Sequence, residues 1–132
     1  MDNHRLDPCC PSNLQQKALW EKKLQKEKAE IMGDFGDIMG KRESLLKTLG
    51  HEIRLAILQY LGTRPNCVCE LVEKLAASNS AVSYHLAFLA KCGLVQTENR
   101  AGNTYYFLTD YGGKVLQWLH LMPFPTGEGE FE

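Results

Sequence analysis

Five cysteines are the side chains of this 132-residue sequence with the most distinctive chemistry. They form an adjacent pair, Cys9 and Cys10, a second pair spaced by two positions, Cys67 and Cys69, and the single Cys92. An odd number argues against a closed set of disulfides, whereas thiolates bind soft metal ions or undergo reversible oxidation. The two pairs therefore predict a metal site or a redox switch. Cys92 is equally consistent with a small buried side chain.

The composition is that of a globular chain, with 44% hydrophobic and 23% charged residues. Its length suits one domain and a short appendage. No apolar run approaches the roughly 20 residues that span a bilayer, and MDNHRLDPCC lacks the pattern of a signal peptide. We therefore expect a cytoplasmic protein with no membrane partner, in a compartment where thiols stay reduced.

The first third of the chain predicts an extension that carries the first cysteine pair. Ser12 can cap a helix over residues 12–32, whose sparse apolar stripe suits packing against another subunit. Three glycines between positions 33 and 40 predict a loop that ends this extension. The predicted extension therefore covers residues 1–40.

Residues 41–122 predict a compact domain, followed by a disordered tail over 123–132. Gly50 can divide the first helix of this domain in two. The fold class is mainly α with a small β-hairpin (α+β), in the order of a winged helix-turn-helix. The predicted elements are helices over 42–61, 67–76, 79–92 and 111–122, with hairpin strands over 94–98 and 104–108 around Gly102.

The helix that begins near Asn79 carries the side chains best suited to contact DNA. A helix lying in a major groove about 12 Å wide needs small or polar side chains on its outer face. Net charge is only −1, although residues 41–110 hold eight basic against six acidic side chains. A structural histidine is the alternative interpretation of His85, and packing against the wing is the alternative for Tyr84. The predicted DNA contacts are Asn79, Ser80, Ser83, Tyr84 and His85 on the helix, and Arg100 and Asn103 at the hairpin tip.

The sequence over residues 42–122 resembles the ArsR/SmtB family of metalloregulatory repressors. The pieces that carry the resemblance are LGHEIRLAILQYL, the CVCEL segment at Cys67, and the pattern S-x-x-S-x-H-L-x-x-L-x-x-x-G-L-V that begins at Ser80. The resemblance implies a homodimer built on the first and last helices of the domain. It also implies a repressor that binds double-stranded operator DNA and releases it when an inducer binds.

The CVC segment resembles the family's box for arsenite, antimonite, cadmium or lead, which implies Cys67 and Cys69 as metal ligands. Thiolates two positions apart on an ideal helix point about 200° apart, so sharing one ion requires a distorted helix end or a third ligand. The third cysteine that this box often carries is Val72 here. Cys9 and Cys10 resemble the N-terminal cysteines that complete the site in a cadmium- and lead-sensing branch, where the spacing is wider. Three or four thiolates would suit arsenite, cadmium, lead or zinc.

Other interpretations remain open at this point. The family's second sensing site, on the last helix, is not expected, because that helix offers only Asp110 and His120. The main alternative to metal sensing is a thiol-redox switch on the same scaffold. A constitutive regulator whose cysteines only pack, and a protein–protein adaptor, are further alternatives. No Ser-His-Asp, paired-carboxylate or phosphate-loop pattern is present, so we expect no enzymatic activity.

Overall fold

The computed structural model describes residues 11–125, which form five α-helices and three β-strands. The fold is a winged helix-turn-helix, mainly α with a small sheet, as the sequence predicted. The chain divides into two compact units, residues 1–43 and 44–132. In chain order the elements are α1 (Leu14–Leu49), α2 (Glu52–Leu61), β1 (Asn66–Cys67), α3 (Val68–Leu75), α4 (Asn79–Lys91), β2 (Val95–Arg100), β3 (Asn103–Leu108) and α5 (Asp110–His120).

Helix α1 is one continuous helix of 36 residues, so the predicted loop over residues 33–40 is wrong. An added Cβ at Gly33, Gly36 or Gly40 would meet no atom within 4 Å. A glycine weakens a helix by about 1 kcal/mol relative to alanine, but it keeps its backbone donor and therefore does not interrupt the hydrogen-bond ladder. The N-terminal cap is also one residue later than predicted, because the Asn13 side chain accepts a hydrogen bond from the Gln16 N–H at 2.7 Å.

The break between α1 and α2 falls at Gly50, as the sequence predicted. His51 follows with an extended backbone, and its Nδ1 accepts a hydrogen bond from the Ile53 N–H at 3.1 Å. This side chain caps α2 and fixes the direction in which the new helix starts.

The sheet has three antiparallel strands in the order β1-β3-β2, and therefore one strand more than the predicted hairpin. Strands β2 and β3 pair from Val95 opposite Leu108 to Arg100 opposite Asn103. The turn between them contains Ala101 and Gly102, both with positive φ (52° and 85°), which is the conformation that tight hairpins require. We call this β2–β3 hairpin the wing.

The core lies within residues 44–132 and joins all the helices of that unit to the sheet. The predicted inward stripe of α4, Val82, Leu86 and Leu89, is fully buried, so this prediction is confirmed. None of the helices in the described residues is both long and apolar enough to cross a membrane. The buried hydrophobic side chains are Leu49, Ile57, Leu58, Leu61, Leu71, Val82, Leu86, Leu89, Leu94, Val95, Val115 and Leu116.

Candidate nucleic-acid interface

The N-terminal half of α4 presents a polar, solvent-exposed face. Ser78 caps the helix, since its Oγ accepts a hydrogen bond from the Ala81 N–H at 3.1 Å. Asn79, Ser80 and Ser83 are exposed in the next turn and a half. Short polar side chains beside a capped helix N-terminus can contact phosphates and base edges, because the free backbone N–H groups there attract anions.

His85 is buried, with only 7% of its surface exposed, so the prediction that it lies on the outer face of α4 is wrong. Its Nδ1 accepts a hydrogen bond at 3.0 Å from Nε of Arg54, which is itself buried in α2. The spacing contained the signal for this burial: position 85 lies three residues after Val82 and four before Leu89, on the same helical face. His85 therefore holds α4 against α2.

Arg54 is a residue that the sequence interpretation missed. Besides its bond to His85, its Nη1 donates to the Thr48 carbonyl at 3.3 Å, and its guanidinium lies 4.2 Å from the centre of the Phe88 ring. Burial lowers the pKa of His85, and the charges of the neighbouring His51 and Arg54 lower it further. The neutral form of the imidazole is thereby favoured, which keeps Nδ1 available as an acceptor.

Tyr84 is 56% exposed on the outer face of α4. Its ring makes edge contacts with His85 at 5.2 Å and with Phe88 at 5.3 Å between ring centres. These partners belong to its own helix, so the ring of Tyr84 stays on the exposed face of α4 and does not pack against the wing in these contacts.

The wing carries the other two predicted contact residues next to its turn. Arg100 and Asn103 are opposite each other in the last register pair and are exposed. Nη2 of Arg100 is 3.2 Å from Oε1 of Glu98, and its guanidinium lies 5.4 Å from the centre of the Tyr105 ring. The hydrogen bond to Glu98 raises the pKa of Arg100, whose guanidinium is in any case protonated at neutral pH.

Cys67 and Cys69 are free thiols at the start of α3, the first half-exposed and the second exposed. The prediction of a helix beginning at Cys67 is wrong by one residue, because Cys67 ends β1 and caps α3 with an extended backbone (φ −89°, ψ 169°). The 200° separation of two helical positions therefore does not apply to this pair. Helix α3 begins at Val68, between the two cysteines, so only Cys69 belongs to the helix.

An ion pair holds this helix start in place. The Cys67 N–H donates to Oε1 of Glu70 at 3.1 Å. Arg64 donates to both carboxylate oxygens of Glu70, at 3.2 and 3.1 Å. The Arg64 hydrogen bond, with the Cys67 N–H second, lowers the pKa of Glu70 to about 2. Glu70 is therefore ionised and holds the backbone of Cys67 through this hydrogen bond.

The thiols fit a soft ion by the chemistry of their donors, because sulfur ligands select soft metals. Within residues 11–125 no group of three or more His, Cys, Asp and Glu is arranged to hold a metal. Cys9 and Cys10 lie outside the described residues, so their predicted part in the site stays a prediction. Cys92 lies apart from the pair, with its sulfur 3.1 Å from the Thr48 hydroxyl.

Comparisons with known proteins agree with this architecture. The model of the bacterial regulatory protein arsR family matches residues 51–97. The transcriptional activator HlyU of Vibrio cholerae is 40% identical over 77 residues, which are 58% of this chain and 71% of the relative. The arsenical resistance operon repressor of Bacillus subtilis is 35% identical over 97 residues, 71% of this chain and 92% of the relative.

Two solved structures extend the comparison. Reduced HlyU from Vibrio cholerae superposes with a TM-score of 0.61 at 35% identity, covering 67% of this chain and 94% of the other. The transcriptional repressor BigR from Xylella fastidiosa gives a TM-score of 0.62 at 26% identity, covering 67% of this chain and 89% of the other. The fold and the matched segment define a winged helix-turn-helix regulator of transcription, which is not an enzyme. The chain belongs to the arsR family.

Proposed function

We propose that this protein binds double-stranded operator DNA as a homodimer and represses transcription until a thiophilic metal or metalloid binds Cys67 and Cys69. The observation that carries the proposal is the exposed polar row on α4, made of Asn79, Ser80 and Ser83. Only three residues separate α4 from α3, the helix whose start carries the free thiols. Tyr84 and the wing residues Arg100 and Asn103 extend the reading surface. Curated relatives include both an activator and a repressor, and the repressor belongs to an arsenical resistance operon.

Two separate apolar surfaces support the homodimer. In the first unit, α1 leaves Leu24 and Ile31 exposed by 41% and 54%. In the second unit, α5 leaves Trp118 exposed by 48%. Large apolar side chains that stay exposed in the single chain favour burial against a second subunit. A two-fold dimer would present two α4 helices to successive major grooves, about 34 Å apart.

The inducer is a soft ion held by thiolates, with arsenite, cadmium, lead and zinc as the candidates. Cys67 and Cys69 would supply two donors, and Cys9 and Cys10 are the proposed source of the others. The family relation to an arsenical resistance repressor supports arsenite in particular. A reducing cytoplasm, the compartment expected from the N-terminal sequence and the lack of a long apolar run, would keep these thiols available.

Fluorescence anisotropy on a duplex from the gene's own promoter tests the proposal. We expect salt-dependent binding by the reduced protein, and release on addition of Cd²⁺, Pb²⁺ or arsenite, with ultraviolet thiolate-to-metal absorption at the same stoichiometry. A Cys67→Ser/Cys69→Ser variant should bind DNA and ignore the ion, whereas the matched control Cys92→Ser should respond normally. An unresponsive unmodified protein would contradict metal sensing, and absence of DNA binding would contradict the whole proposal.

A thiol-redox switch is the second candidate function, because both cysteines of the pair are free and accessible. One similar solved structure is described as the reduced form of HlyU, which supports redox chemistry in that relative. The two functions differ in a simple observation. A redox switch gives reversible release of DNA by peroxide and thiol reductant, with no stoichiometric binding of Cd²⁺ or arsenite.

A further inference from the structure

We infer that the thiol site controls DNA binding through the wing, with Tyr105 as the positioning residue that links Cys67 to Arg100. The inference rests on the proposed function and names the route by which its inducer acts. The alternative route runs through the helix-turn-helix itself, with the start of α3 pulling on α4. The structure contains a direct connection from Cys67 to the wing through the sheet.

The first link is the pairing of β1 with β3. Cys67 lies opposite Tyr105, and Asn66 lies opposite Tyr106. One residue of the proposed inducer site is therefore itself part of the sheet that carries the wing. A change in the backbone of Cys67 either moves β3 or breaks this pairing.

The second link makes β1 move as a unit with the start of α3. Asn66 is fully buried, its amide donates to the Arg64 carbonyl at 2.9 Å, and its Oδ1 accepts from Lys74 at 2.5 Å. The Arg64–Glu70 pair holds the Cys67 N–H from the other side. With both flanks fixed, a displacement at Cys67 is not absorbed locally and is passed to β3.

The third link joins β3 to the tip of the wing. Tyr105 is the register partner of Glu98, and its ring lies 5.4 Å from the guanidinium of Arg100. Glu98 also holds Arg100 through the ion pair at 3.2 Å. A shift of Tyr105 therefore changes the two contacts that orient the charged side chain proposed to contact DNA.

Packing decides between the wing and α4 as the part that moves. Val82 and Leu86 of α4 and Leu71 of α3 are all fully buried in one core, and close-packed interiors resist displacement. Beyond Val95, by contrast, every residue of β2 is exposed. Segments with few buried contacts deform at low cost. The wing is consequently displaced more easily than α4 by a movement at Cys67.

A comparison of two reading-surface variants tests this route with Cd²⁺ as the probe. In the reduced full-length protein Cd²⁺ should lower DNA affinity about 10-fold or more, within the usual range of coupling between sites. Arg100→Ala lacks the contact that the movement disturbs, so its Cd²⁺ effect should fall below about 3-fold although Cd²⁺ binds unchanged. The control Asn79→Ala should lose affinity yet keep the full Cd²⁺ effect. The inference would be overturned if Cd²⁺ still lowered the DNA affinity of Arg100→Ala by the full factor, or if it no longer lowered the DNA affinity of Asn79→Ala.

A second arm works without any inducer. In a protein whose other four cysteines are serine, Cys67 is blocked with N-ethylmaleimide, and circular dichroism checks the fold. Blocking should weaken DNA binding when Arg100 is present and have little effect in the Arg100→Ala background. Equal losses in both backgrounds, or no loss in either, would overturn the route through the wing. If the unblocked protein does not bind DNA at all, it is the proposed function that fails.

Hydrogen exchange gives a readout that is independent of DNA. Cd²⁺ or N-ethylmaleimide at Cys67 should change the amide protection of residues 104–108 more than that of residues 79–91. In DNA-binding assays, Tyr105→Leu should reduce the loss of affinity caused by Cd²⁺, because the substitution removes the aromatic ring beside Arg100. Tyr105→Phe keeps the ring and should preserve that loss. The opposite pattern of protection, with α4 the more affected, would assign the signal to the recognition helix instead.

Discussion

Gly112 in the first turn of α5 offers the sharpest test of the packing described above. A Cβ built on Gly112 lies 2.1 Å from the carbonyl oxygen of Leu94 and 3.0 Å from its carbonyl carbon. Both are backbone atoms, which cannot rotate away as the end of a side chain can. The neighbouring Gly113, also in α5, is a matched control, because its added Cβ meets nothing within 4 Å.

The expected cost follows from three contributions. Alanine gains about 1 kcal/mol over glycine in helix propensity at either position. At Gly112 the overlap requires α5 to shift, and overpacking costs about 1–3 kcal/mol. The shift also endangers the bonds of Thr109 to the Leu94 and Gly93 carbonyls, at 3.0 and 2.6 Å, each worth about 0.5–1.5 kcal/mol. Gly112→Ala should therefore destabilise the protein by about 2–3 kcal/mol, and Gly113→Ala should stabilise it by up to about 1 kcal/mol.

Urea and thermal unfolding followed by circular dichroism measure both variants. For a unit of this size the Gly112→Ala change corresponds to a fall in Tm of about 10–20 °C. The reasoning is refuted if Gly112→Ala is as stable as the unmodified protein, or if both variants change stability in the same direction. Either result would mean that α5 does not rest on the backbone of Leu94.

Three further predictions concern other parts of the chain. The free energy of unfolding should fall as the pH drops below about 6.5, because the pKa of His85 is lower in the folded protein than in the unfolded chain, which therefore binds the proton more readily. A His85→Gln variant should show a smaller fall, and a variant with the same pH profile as the unmodified protein would contradict this. Leu71→Ala should cost about 2–5 kcal/mol in urea unfolding, since Leu71 is fully buried, and a cost under 1 kcal/mol would argue against one shared core. Gly36→Ala should slow hydrogen exchange in residues 14–43 by stabilising α1 by about 1 kcal/mol, and faster exchange there would contradict a continuous helix.

Local patterns predicted most of the helices and the wing. The inward stripe of α4 and the break at Gly50 follow from residue spacing and turn chemistry, both of which act over a few positions. The error in α1 came from the same rules, because three glycines indicate a loop unless the residues around them favour helix strongly enough. Segments rich in Lys, Glu and Leu flank the three glycines on both sides, and their helix propensity carries the helix through residues 33–40.

The features that the sequence did not reveal all depend on contacts distant in the chain. Strand β1 is two residues long and exists only because β3, nearly 40 positions later, pairs with it. The partner of His85 is Arg54, 31 positions earlier on another helix. Spacing alone placed position 85 on the buried face, but the polar residue type favoured the outer face. A partner that satisfies the imidazole decides between these two interpretations, and only the structure identifies it.

The near-neutral charge of the chain bears on how its DNA binding would be switched. Binding that depended on many phosphate contacts would change little if one were lost, because each adds a similar share to the affinity. With a net charge of −1, this protein is expected to depend on a few well-placed groups, of which Arg100 is the cation at the wing tip. Displacing that side chain from a phosphate should then cost a larger share of the affinity than it would in a strongly basic domain. Under the route proposed above, a small displacement at Cys67 that reaches Arg100 through Tyr105 should therefore be enough to lower the affinity for DNA.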